Sequence, residues 1–454
     1  MLPVEMDTQQ SLFKNRSFLF LWGSGMCSAL SLSTYLFVEQ WYVIHTLNQA
    51  SYLGFVLMAT LLPRIFLMLF GGILSDRYKR STIMRISSAL RISFILCLLA
   101  LLHTDQLTLL TILGFAFLFG SVDAFFSPAN ASLLPTLVPK EQLTKANSLI
   151  QTSNQIALFS GPILGGVILS YSSYSHVFLV IFGTLCLTLL FTYGIRESKI
   201  KRSLQHSALF ELKEGLHYVF HFQQLKQILF LVICVNFFFF GPLLLGIPLL
   251  VHDVLQGDAM DLSYMQGAYQ MGMLGGALWS GLTQKKENGL TSSVRLIGAL
   301  GLLFFLLSQA QQILLYLIIL LSLGVLSSII NIRFITFIQS QCAEQTMGRV
   351  MSVVNAASNG LVPLSYALLS FLLSFHVSIT TIMLYCGLLI LVLSLYFRKR
   401  MIQVENQSKK KTVEWNATVL VLYSVITKHV LLDPPPSLLA LRLDTASKRR
   451  SHIP

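Results

Sequence analysis

A carboxylic acid stands inside an apolar stretch near the start of the chain. Glu39 belongs to a series of polar side chains that recur at steps of three and four, namely Ser24, Ser28, Ser31, Tyr35, Glu39 and Tyr42. These steps place side chains on one face of a helix. Burial disfavours the ionised form of a carboxyl, so the chemistry open to Glu39 is reversible proton binding. Close helix packing is an alternative role that explains the serines but not the acid.

A second group of charges is compressed into a short hinge between two apolar runs. Residues 71–84 read GGILSDRYKRSTIM, in which Asp76, Arg77, Lys79 and Arg80 lie close together. The two glycines remove side-chain spacers, so neighbouring helices can approach closely. The alternative is a loop that needs only positive charge, but such a loop does not require Asp76.

The composition of the chain indicates that lipid, rather than water, surrounds most of it. The chain has 454 residues, of which 11% are charged and 54% are hydrophobic, and its mean hydropathy is +0.69. Soluble globular proteins carry about 25% charged residues. Apolar runs long enough to cross a bilayer recur along the whole length, and in lipid such runs must be helices because every backbone polar group needs an internal partner. The expected fold class is therefore an all-α membrane protein.

Twelve transmembrane helices are predicted, in a chain that resides in the lipid bilayer of the cell membrane. Turns that follow odd-numbered spans contain no Lys or Arg, whereas the other turns and both ends carry nearly all the basic residues. The positive-inside rule therefore predicts that both termini are cytoplasmic. The net charge of +13 is mostly this bias, and no nucleic-acid partner is expected. The approximate spans are 17–44, 51–75, 82–102, 108–128, 146–170, 177–195, 228–251, 263–283, 293–310, 313–337, 350–374 and 378–397.

An internal repeat divides the chain into two halves. A shift of 204 residues lays Gly71-Gly72 onto Gly275-Gly276 and Gly120 onto Gly324. Parallel halves with a site between them are a transporter architecture. The predicted parts are a six-helix half at 1–195, a cytoplasmic linker with an amphipathic helix at 196–227, a second six-helix half at 228–400 and a cytoplasmic tail of unknown role at 401–454.

Three motifs resemble one known family. GGILSDRYKR at 71–80 resembles the cytoplasmic-loop signature of the major facilitator superfamily, and GPILGG at 161–166 is similar to the signature of its antiporters. Residues 125–149, FFSPANASLLPTLVPKEQLTKANSL, resemble the drug-exporter branch that includes macrolide efflux pumps and the enterobactin exporter. The resemblance implies the major facilitator fold. It covers about residues 12 to 400, and the matching motif residues are Gly72, Asp76, Arg77, Arg80, Gly161, Pro162, Gly165 and Gly166.

The resemblance gives the charged loop a role. It implies that Asp76 caps the start of span 11 only while the cytoplasmic side is closed, so that Gly72, Asp76, Arg77 and Arg80 form a cytoplasmic latch. It also implies that an acid at the cytoplasmic end of span 4 joins this latch. Asp123 is assigned to the latch because a span that ends at 128 places it at the depth of Arg80. The alternative role of Asp123 is proton binding.

Three arginines also lie inside predicted spans. An ionised side chain in a bilayer costs at least ~2.5 kcal/mol on insertion scales, so each of them needs a reason. Arg64 and Arg91 lie in the middle of spans 2 and 3. One interpretation is that both arginines are counter-charges for acidic groups inside the protein. The other is that Arg91 contacts an anionic substrate. Arg333 lies near the cytoplasmic end of span 10, where it is expected to extend to the interface or to bond helix ends.

The predicted substrate cavity is mostly apolar and aromatic, with a few polar groups. Glu39 is the proton-coupling candidate, because a polar face inside a membrane needs water or protein beside it. In span 7, CVNFFFFGP at 234–242 puts an amide beside four phenylalanines. This mixture suits an amphiphilic organic molecule better than a sugar or an inorganic ion, although a run of Phe also suits lipid contact. The cavity candidates are Tyr35, Arg91, Asn154, Gln155, Asn236 and Asn331.

These observations predict transport rather than catalysis. The sequence has no GxxxxGK[ST] loop, so ATP is not the expected energy source. The six cysteines have no metal-ligand spacing, and neither a metal nor a cofactor is expected. The prediction is a monomeric secondary transporter that exports an amphiphilic, macrolide-like small molecule in exchange for protons. The alternatives are a siderophore exporter, a lysolipid flippase, or a non-transporting membrane sensor or scaffold on the same fold.

Overall fold

The computed structural model of the chain describes residues 12–197, 223–282, 290–341 and 347–399. Every regular element within these ranges is a helix. The amphipathic helix predicted in the linker and the tail predicted from residue 401 lie outside the described residues. All contacts discussed below belong to one compact unit, Met1–Ser394.

Six long helices form the first part of the chain. Asn15 begins the first helix by accepting a hydrogen bond from the Phe18 N–H, and Thr108 begins the fourth through a reciprocal pair of bonds with Thr111. Such side chains satisfy backbone donors that have no partner within the helix. The helices are α1 (Arg16–Trp41), α2 (Leu53–Arg77), α3 (Arg80–His103), α4 (Leu109–Leu137), α5 (Leu143–Tyr171) and α6 (Tyr174–Gly194).

The helices of the second part are interrupted more often. α7 (Gln223–Val235) continues through a π-helical turn, Asn236–Phe240, into α8 (Gly241–Leu249), and a second π-helical turn follows at Leu250–Leu255. Pro242 has no backbone N–H to donate to a helical hydrogen bond. The π-helical turn at Asn236–Phe240 therefore lies next to a position where the regular series of hydrogen bonds is already interrupted. The remaining helices are α9 (Ala259–Leu282), α10 (Leu290–Leu307), α11 (Ile313–Gln341), α12 (Met347–Gly360), α13 (Val362–Ser374) and α14 (Ile379–Lys399).

Nine helices in the described part of the chain are long and apolar enough to cross a membrane. α1 and α9, with 26 and 24 residues, are long enough to cross a membrane but are not among these nine apolar helices. The apolar part of α10, Ser292–Leu307, is too short to be counted. The predicted class, an all-α multi-pass membrane protein, is confirmed. The count of twelve spans remains a prediction.

Two predicted spans differ from the observed helices. α4 continues to Leu137, well past the predicted limit at 128, although Pro128 and Pro135 lie inside it. Proline is tolerated in membrane helices because neighbouring groups satisfy the freed carbonyls. Asp123 therefore lies in the middle of α4, and its predicted depth beside the loop was wrong. The other difference is a break of predicted span 11 into α12 and α13, just before Pro363.

Glycine brings α2 and α4 into backbone contact. A Cβ atom added at Gly71 would collide with the carbonyl oxygen of Ala124, and one added at Gly120 would collide with the carbonyl oxygen of Thr60. Small residues at such positions let membrane helices approach closely. A Cβ at Gly72 would meet open space. The close approach predicted for the glycine pair therefore depends on Gly71.

The equivalent pair of helices packs in the same way in the second part of the chain. Cβ atoms added at Gly272 of α9 and Gly324 of α11 would collide with carbonyl oxygens of the facing helix. Gly324 is the repeat partner of Gly120. Close backbone packing thus recurs in α2 with α4 and in α9 with α11.

Thiol labelling tests the predicted orientation of the chain. Ser172 and Asp258 are exposed in connections predicted to be extracellular, and Glu141 is exposed in a turn predicted to be cytoplasmic. In a background without native cysteines, a cysteine at Ser172 or Asp258 should react with an impermeant thiol reagent added to intact cells. A cysteine at Glu141 should react only after the membrane is opened. The reverse pattern would contradict the orientation.

Candidate functional site

A cavity of about 450 Å³ lies between the two parts of the bundle. Its walls come from α1, α2, α4 and α5 of the first part and from α8 and α9 of the second. Leucine, isoleucine and phenylalanine side chains supply the apolar surface. The walls also carry five amide side chains, from Gln40, Asn130, Asn154, Gln266 and Gln270. Apolar walls with a few polar groups are typical of sites for organic molecules.

Contacts between α5 and α9 and between α1 and α9 close one side of this cavity. Gly166 of α5 lies so close to Ser263 that a Cβ atom would collide with the hydroxyl. Ser263 Oγ donates to the Pro162 carbonyl oxygen at 2.7 Å. Gln266 Nε2 donates to Gln40 Oε1 at 3.2 Å, which joins α9 to α1. Small residues and short polar contacts therefore hold the two parts together here.

A contact between α2 and α13 closes the same side. Gly54, near the start of α2, lies against the Tyr366 carbonyl oxygen and the Ser370 hydroxyl of α13. The ends of the helices that meet here adjoin the connections predicted to be extracellular. We call this end of the cavity the closed side.

The GPILGG motif packs α5 against α1 as well as against α9. A Cβ atom at Gly161 would collide with Ser33, and one at Gly165 would collide with Phe37. Ser33 and Phe37 also line the cavity. The motif thus allows three helices to meet without side chains between them.

Two arginines share one carboxylate in the interior of the first part. Asp123 Oδ1 accepts a hydrogen bond from Arg91 Nη2, and Asp123 Oδ2 lies 3.0 Å from Arg64 Nε. Arg91 Nη1 also donates to Ser28 Oγ at 2.8 Å, and its guanidinium lies 4.8 Å from the centre of the Phe126 ring. The Arg91 side chain is 2% exposed, whereas that of Arg64 is 39% exposed. The structure therefore brings together three ionisable residues that the sequence could only consider separately.

The loop of the predicted latch contains a contact that sequence reasoning missed. Arg77 is exposed at the end of α2, and the side chain of Asp76 lies outside what the structure describes. The Glu197 carboxylate accepts hydrogen bonds from the N–H groups of Arg80 at 3.1 Å and Ser81 at 3.0 Å, and from the Ser81 hydroxyl at 2.9 Å. A carboxylate is favourable at the start of a helix, so Glu197 stabilises the first turn of α3.

Glu39 is buried behind the cavity wall. Its side chain is 4% exposed, and Oε1 accepts a hydrogen bond from the Tyr35 hydroxyl at 2.7 Å. The Tyr35 ring stacks on Phe119 of α4 with 4.1 Å between the ring centres. Oε2 has no hydrogen-bond partner among the described residues. An ionised oxygen is costly to bury without a partner, so this environment suits a carboxyl that carries a proton.

The polar stripe on α1 faces the interior of the first part. Ser31 Oγ forms a hydrogen bond with Thr184 Oγ1 of α6 at 2.7 Å, and Ser28 binds Arg91. Of the stripe, Ser28 lines the cavity, and the other cavity-lining residues of α1 lie on a different face. The expectation that the whole stripe lines the cavity is therefore corrected, because neighbouring helices bury most of it.

Among the predicted cavity candidates, Asn154 lines the cavity in this conformation. Asn236 Nδ2 instead donates to the Val232 carbonyl oxygen of its own helix at 2.9 Å, and Asn331 is exposed on α11. Adjacent side chains on a helix point in different directions, so Gln155 does not face the cavity that its neighbour Asn154 lines. The candidates that do not line the cavity are Tyr35, Arg91, Gln155, Asn236 and Asn331.

Four cavity amides were missed by sequence reasoning. Gln266 and Gln270 are one helical turn apart on α9, and Asn130 lies two turns beyond Asp123 on α4. Gln40 directly follows Glu39. Asn130 could have been predicted from the sequence, because a spacing of two helical turns places it on the same face of α4 as Asp123. Arg333, which the sequence left without a partner, donates through Nη1 to Ser292 Oγ at 2.9 Å.

Comparisons with curated proteins identify relatives among transporters. The chain is 25% identical over 335 residues to an uncharacterized MFS-type transporter, YfmI, of Bacillus subtilis (strain 168), covering 71% of this chain and 81% of that protein. It is 28% identical over 262 residues to Macrolide efflux protein A of Streptococcus pyogenes, covering 56% and 62%. It is also 33% identical over 132 residues to the Staphyloferrin A transporter of Staphylococcus aureus (strain NCTC 8325 / PS 47), covering 29% and 33%.

The fold is shared with solved transporter structures. A crystal structure of the nucleoside transporter NupG matches with a TM-score of 0.66 and 12% identity, covering 85% of this chain and 99% of that one. The family model of the Major Facilitator Superfamily matches residues 21–365, most of the chain. The motifs, the helical membrane fold and this match agree. The chain therefore belongs to the major facilitator superfamily, and it is a multi-pass membrane transporter of small molecules rather than an enzyme.

Proposed function

We propose that this transporter exports an amphiphilic small molecule in exchange for protons. The observation that carries the proposal is a cavity bounded by both parts of the bundle and closed on one side by contacts between them. Rocking of two halves about such a site exposes it to each side of the membrane in turn. With the predicted orientation, this conformation faces the cytoplasm, where an exporter takes up its cargo. The protein works as a monomer in the bilayer.

Glu39 is the proposed proton site. It precedes Gln40, and Gln40 joins α1 to Gln266 on the closed side. Opening that side separates the two amides and brings water to the neighbouring carboxyl. Glu39 then binds a proton from outside and releases it when the cavity faces the cytoplasm. Asp123 is the second candidate for coupling, because its carboxyl lines the cavity and contacts two arginines.

The first candidate cargo is a macrolide-like compound. The similarity to Macrolide efflux protein A and the mixed apolar and amide walls support it. A siderophore is the second candidate, supported by the 33% identity to the Staphyloferrin A transporter and by the five amides, which suit a cargo with many hydrogen-bonding groups. A lysolipid flippase and a sensor on the same fold remain the alternatives.

Accumulation measurements test the proposal. Cells that produce the protein should accumulate less erythromycin, or less of a catecholate or carboxylate siderophore, than cells with an empty vector. A protonophore should abolish the difference, because it removes the driving gradient. Cells that produce the Glu39→Gln variant are the matched control. A difference that persists with the protonophore would contradict proton coupling, and equal accumulation of every compound would contradict export of these classes.

Asp76→Asn tests the proposed latch formed by Gly72, Asp76, Arg77 and Arg80. The change removes the charge and keeps the shape, so the state closed to the cytoplasm loses a helix-end contact worth roughly 0.3–2 kcal/mol. Populations should shift by up to tens of fold towards the conformation that faces the cytoplasm. Transport should fall while the amount of protein in the membrane is unchanged. Asp105→Asn, at an exposed turn, is the control. Full transport by Asp76→Asn would mean that the loop serves only topology.

A further inference from the structure

We infer that Arg64 binds an anionic oxyacid group, a carboxylate or a phosphate, on the molecule that occupies the cavity. This inference takes from the proposed function only that the cavity is the cargo site. It specifies the class of cargo, which the family resemblance leaves open between cationic, neutral and anionic compounds.

The charges around the cavity do not balance. Arg64 and Arg91 both contact Asp123, and neither arginine forms an ion pair with another acid among the described residues. One carboxylate offsets one guanidinium, so the cluster carries a surplus positive charge. A charge held away from bulk water needs a counter-charge or polar partners. An anion in the cavity would therefore balance the cluster.

Arg64 is the arginine that can receive this anion. Arg91 is almost fully buried and is occupied by Asp123, the Ser28 hydroxyl and the Phe126 ring. Arg64 lines the cavity, and its side chain is 39% exposed. Its Nε atom faces Asp123, whereas Nη1 and Nη2 have no hydrogen-bond partner in the described part of the chain. The unused donors of the cluster are thus on the cavity side.

The geometry of these donors selects an oxyacid. A guanidinium is planar and presents its N–H groups as a fork that matches two oxygens of a carboxylate or phosphate. The Arg64 Nε atom lies 3.0 Å from Asp123 Oδ2, which leaves Nη1 and Nη2 as the two prongs of the fork for the cargo. Asn130 also lines the cavity, and its buried Oδ1 has no partner among the described residues. A rotation of the Asn130 amide towards the cavity would let a hydroxyl or amide donor on the same cargo reach that oxygen.

A cationic cargo finds no equivalent partner. Arg64 and Asp123 are the charged residues of the described cavity wall. Because Asp123 is already shared by two guanidinium groups, the potential in the cavity is positive. The cargo class that fits is therefore an amphiphilic acid with additional hydrogen-bond donors, which favours a carboxylate siderophore over a macrolide that carries a basic amine.

A pair of fluorescent probes that differ only in charge tests this inference. Dansylphenylalanine carries a carboxylate, and dansylphenylalaninamide is its neutral counterpart. Titrated against the purified full chain in nanodiscs without any gradient, the wild-type protein should bind the acid about tenfold or more tightly than the amide. Equal affinities for the two probes would overturn the inference.

The Arg64→Gln variant should lose this preference by weakening the acid probe alone. It leaves Arg91 and Asp123 as a balanced pair, so it is expected to fold. Arg64→Lys keeps the charge without the fork and should retain part of the preference. Arg85→Gln is the control, since Arg85 bonds the Thr192 carbonyl oxygen outside the cavity. Equal weakening of both probes by Arg64→Gln would show a structural role and overturn the assignment.

Displacement of the bound acid probe by competitors distinguishes a soluble organic acid from a lipid headgroup as the cargo. Displacement of the acid probe by decanoate supports a soluble organic acid, and displacement by lysophosphatidylglycerol but not by lysophosphatidylcholine supports a lipid headgroup. Displacement by none of them would overturn the inference. Because binding is measured without a gradient, an intact preference in a protein that does not export would contradict the proposed function alone.

Discussion

Replacing Glu39 by Gln should abolish proton-driven efflux while leaving insertion and cargo binding intact. Glutamine has nearly the same size and can still accept the hydrogen bond that the Tyr35 hydroxyl donates to Oε1 at 2.7 Å. It cannot exchange a proton, so it resembles a permanently protonated acid. Cargo exchange that needs no gradient should survive, since the halves can still rock around a bound molecule.

Efflux from vesicles under an imposed pH gradient measures this effect. The parent protein should respond to the gradient, and Glu39→Gln should not. Glu141→Gln, which changes an exposed acid, is the control. Tyr35→Phe removes the hydroxyl but keeps the ring that stacks on Phe119, so it should impair coupling less than the loss of the acid.

A Glu39→Gln variant that still follows the gradient would assign Glu39 a structural role. Asp123 would then be the coupling candidate. Its carboxyl contacts both Arg64 and Arg91 and lines the cavity. Asp123→Asn in the same vesicles would test that alternative.

Adding a single methyl group at Gly166 should prevent the closed side from forming. The Cβ of Gly166→Ala would collide with the Ser263 hydroxyl and would lie 2.7 Å from the Ala259 carbonyl oxygen. The backbone oxygen cannot rotate away, so α5 and α9 must separate. Overpacking of this kind costs typically about 1–3 kcal/mol, which corresponds to roughly a fivefold to 150-fold shift in population. Transport should fall because the conformation with this side closed is depleted.

A cysteine at Gln270 reports the state of the cavity. In intact cells without native cysteines, it should be protected from an external impermeant thiol reagent in the parent and labelled rapidly with Gly166→Ala. Gly183→Ala is the matched control, because a Cβ atom at Gly183 would meet open space. Adding Ser263→Gly to Gly166→Ala removes the collisions with the Ser263 side chain but not the one with the Ala259 carbonyl oxygen, so it should restore part of the protection. Labelling that does not change would mean that α5 and α9 accommodate the methyl group without separating.

The helices were predictable from the sequence because a bilayer leaves the backbone few choices. Long apolar runs must be helical there, and basic turns report orientation without any tertiary information. The same reasoning failed at Leu137, the end of α4. The predicted limit of this span was residue 128, whereas the helix continues through Pro128 and Pro135. Local sequence patterns thus predict that a membrane span exists more accurately than they predict where it ends.

The charged cluster required a structure because its members lie on three helices. The sequence shows that Arg64, Arg91 and Asp123 are each inside a span, but not the rotation of each helix about its axis. That rotation decides which arginine faces the cavity. Glu197 is a similar case, since 117 residues separate it from the helix start that it caps. A local pattern does not encode such a contact.

The contacts on the closed side carry no net charge. They consist of glycines against carbonyl oxygens and hydroxyls and of one pair of amides. Dissolved ions screen interactions between charges and leave such contacts almost unaffected. A latch that depends on the Asp76 carboxylate would weaken as the ionic strength rises. The two ends of the cavity would therefore respond differently to salinity, and concentrated salt would hold the transporter with its cavity open to the cytoplasm.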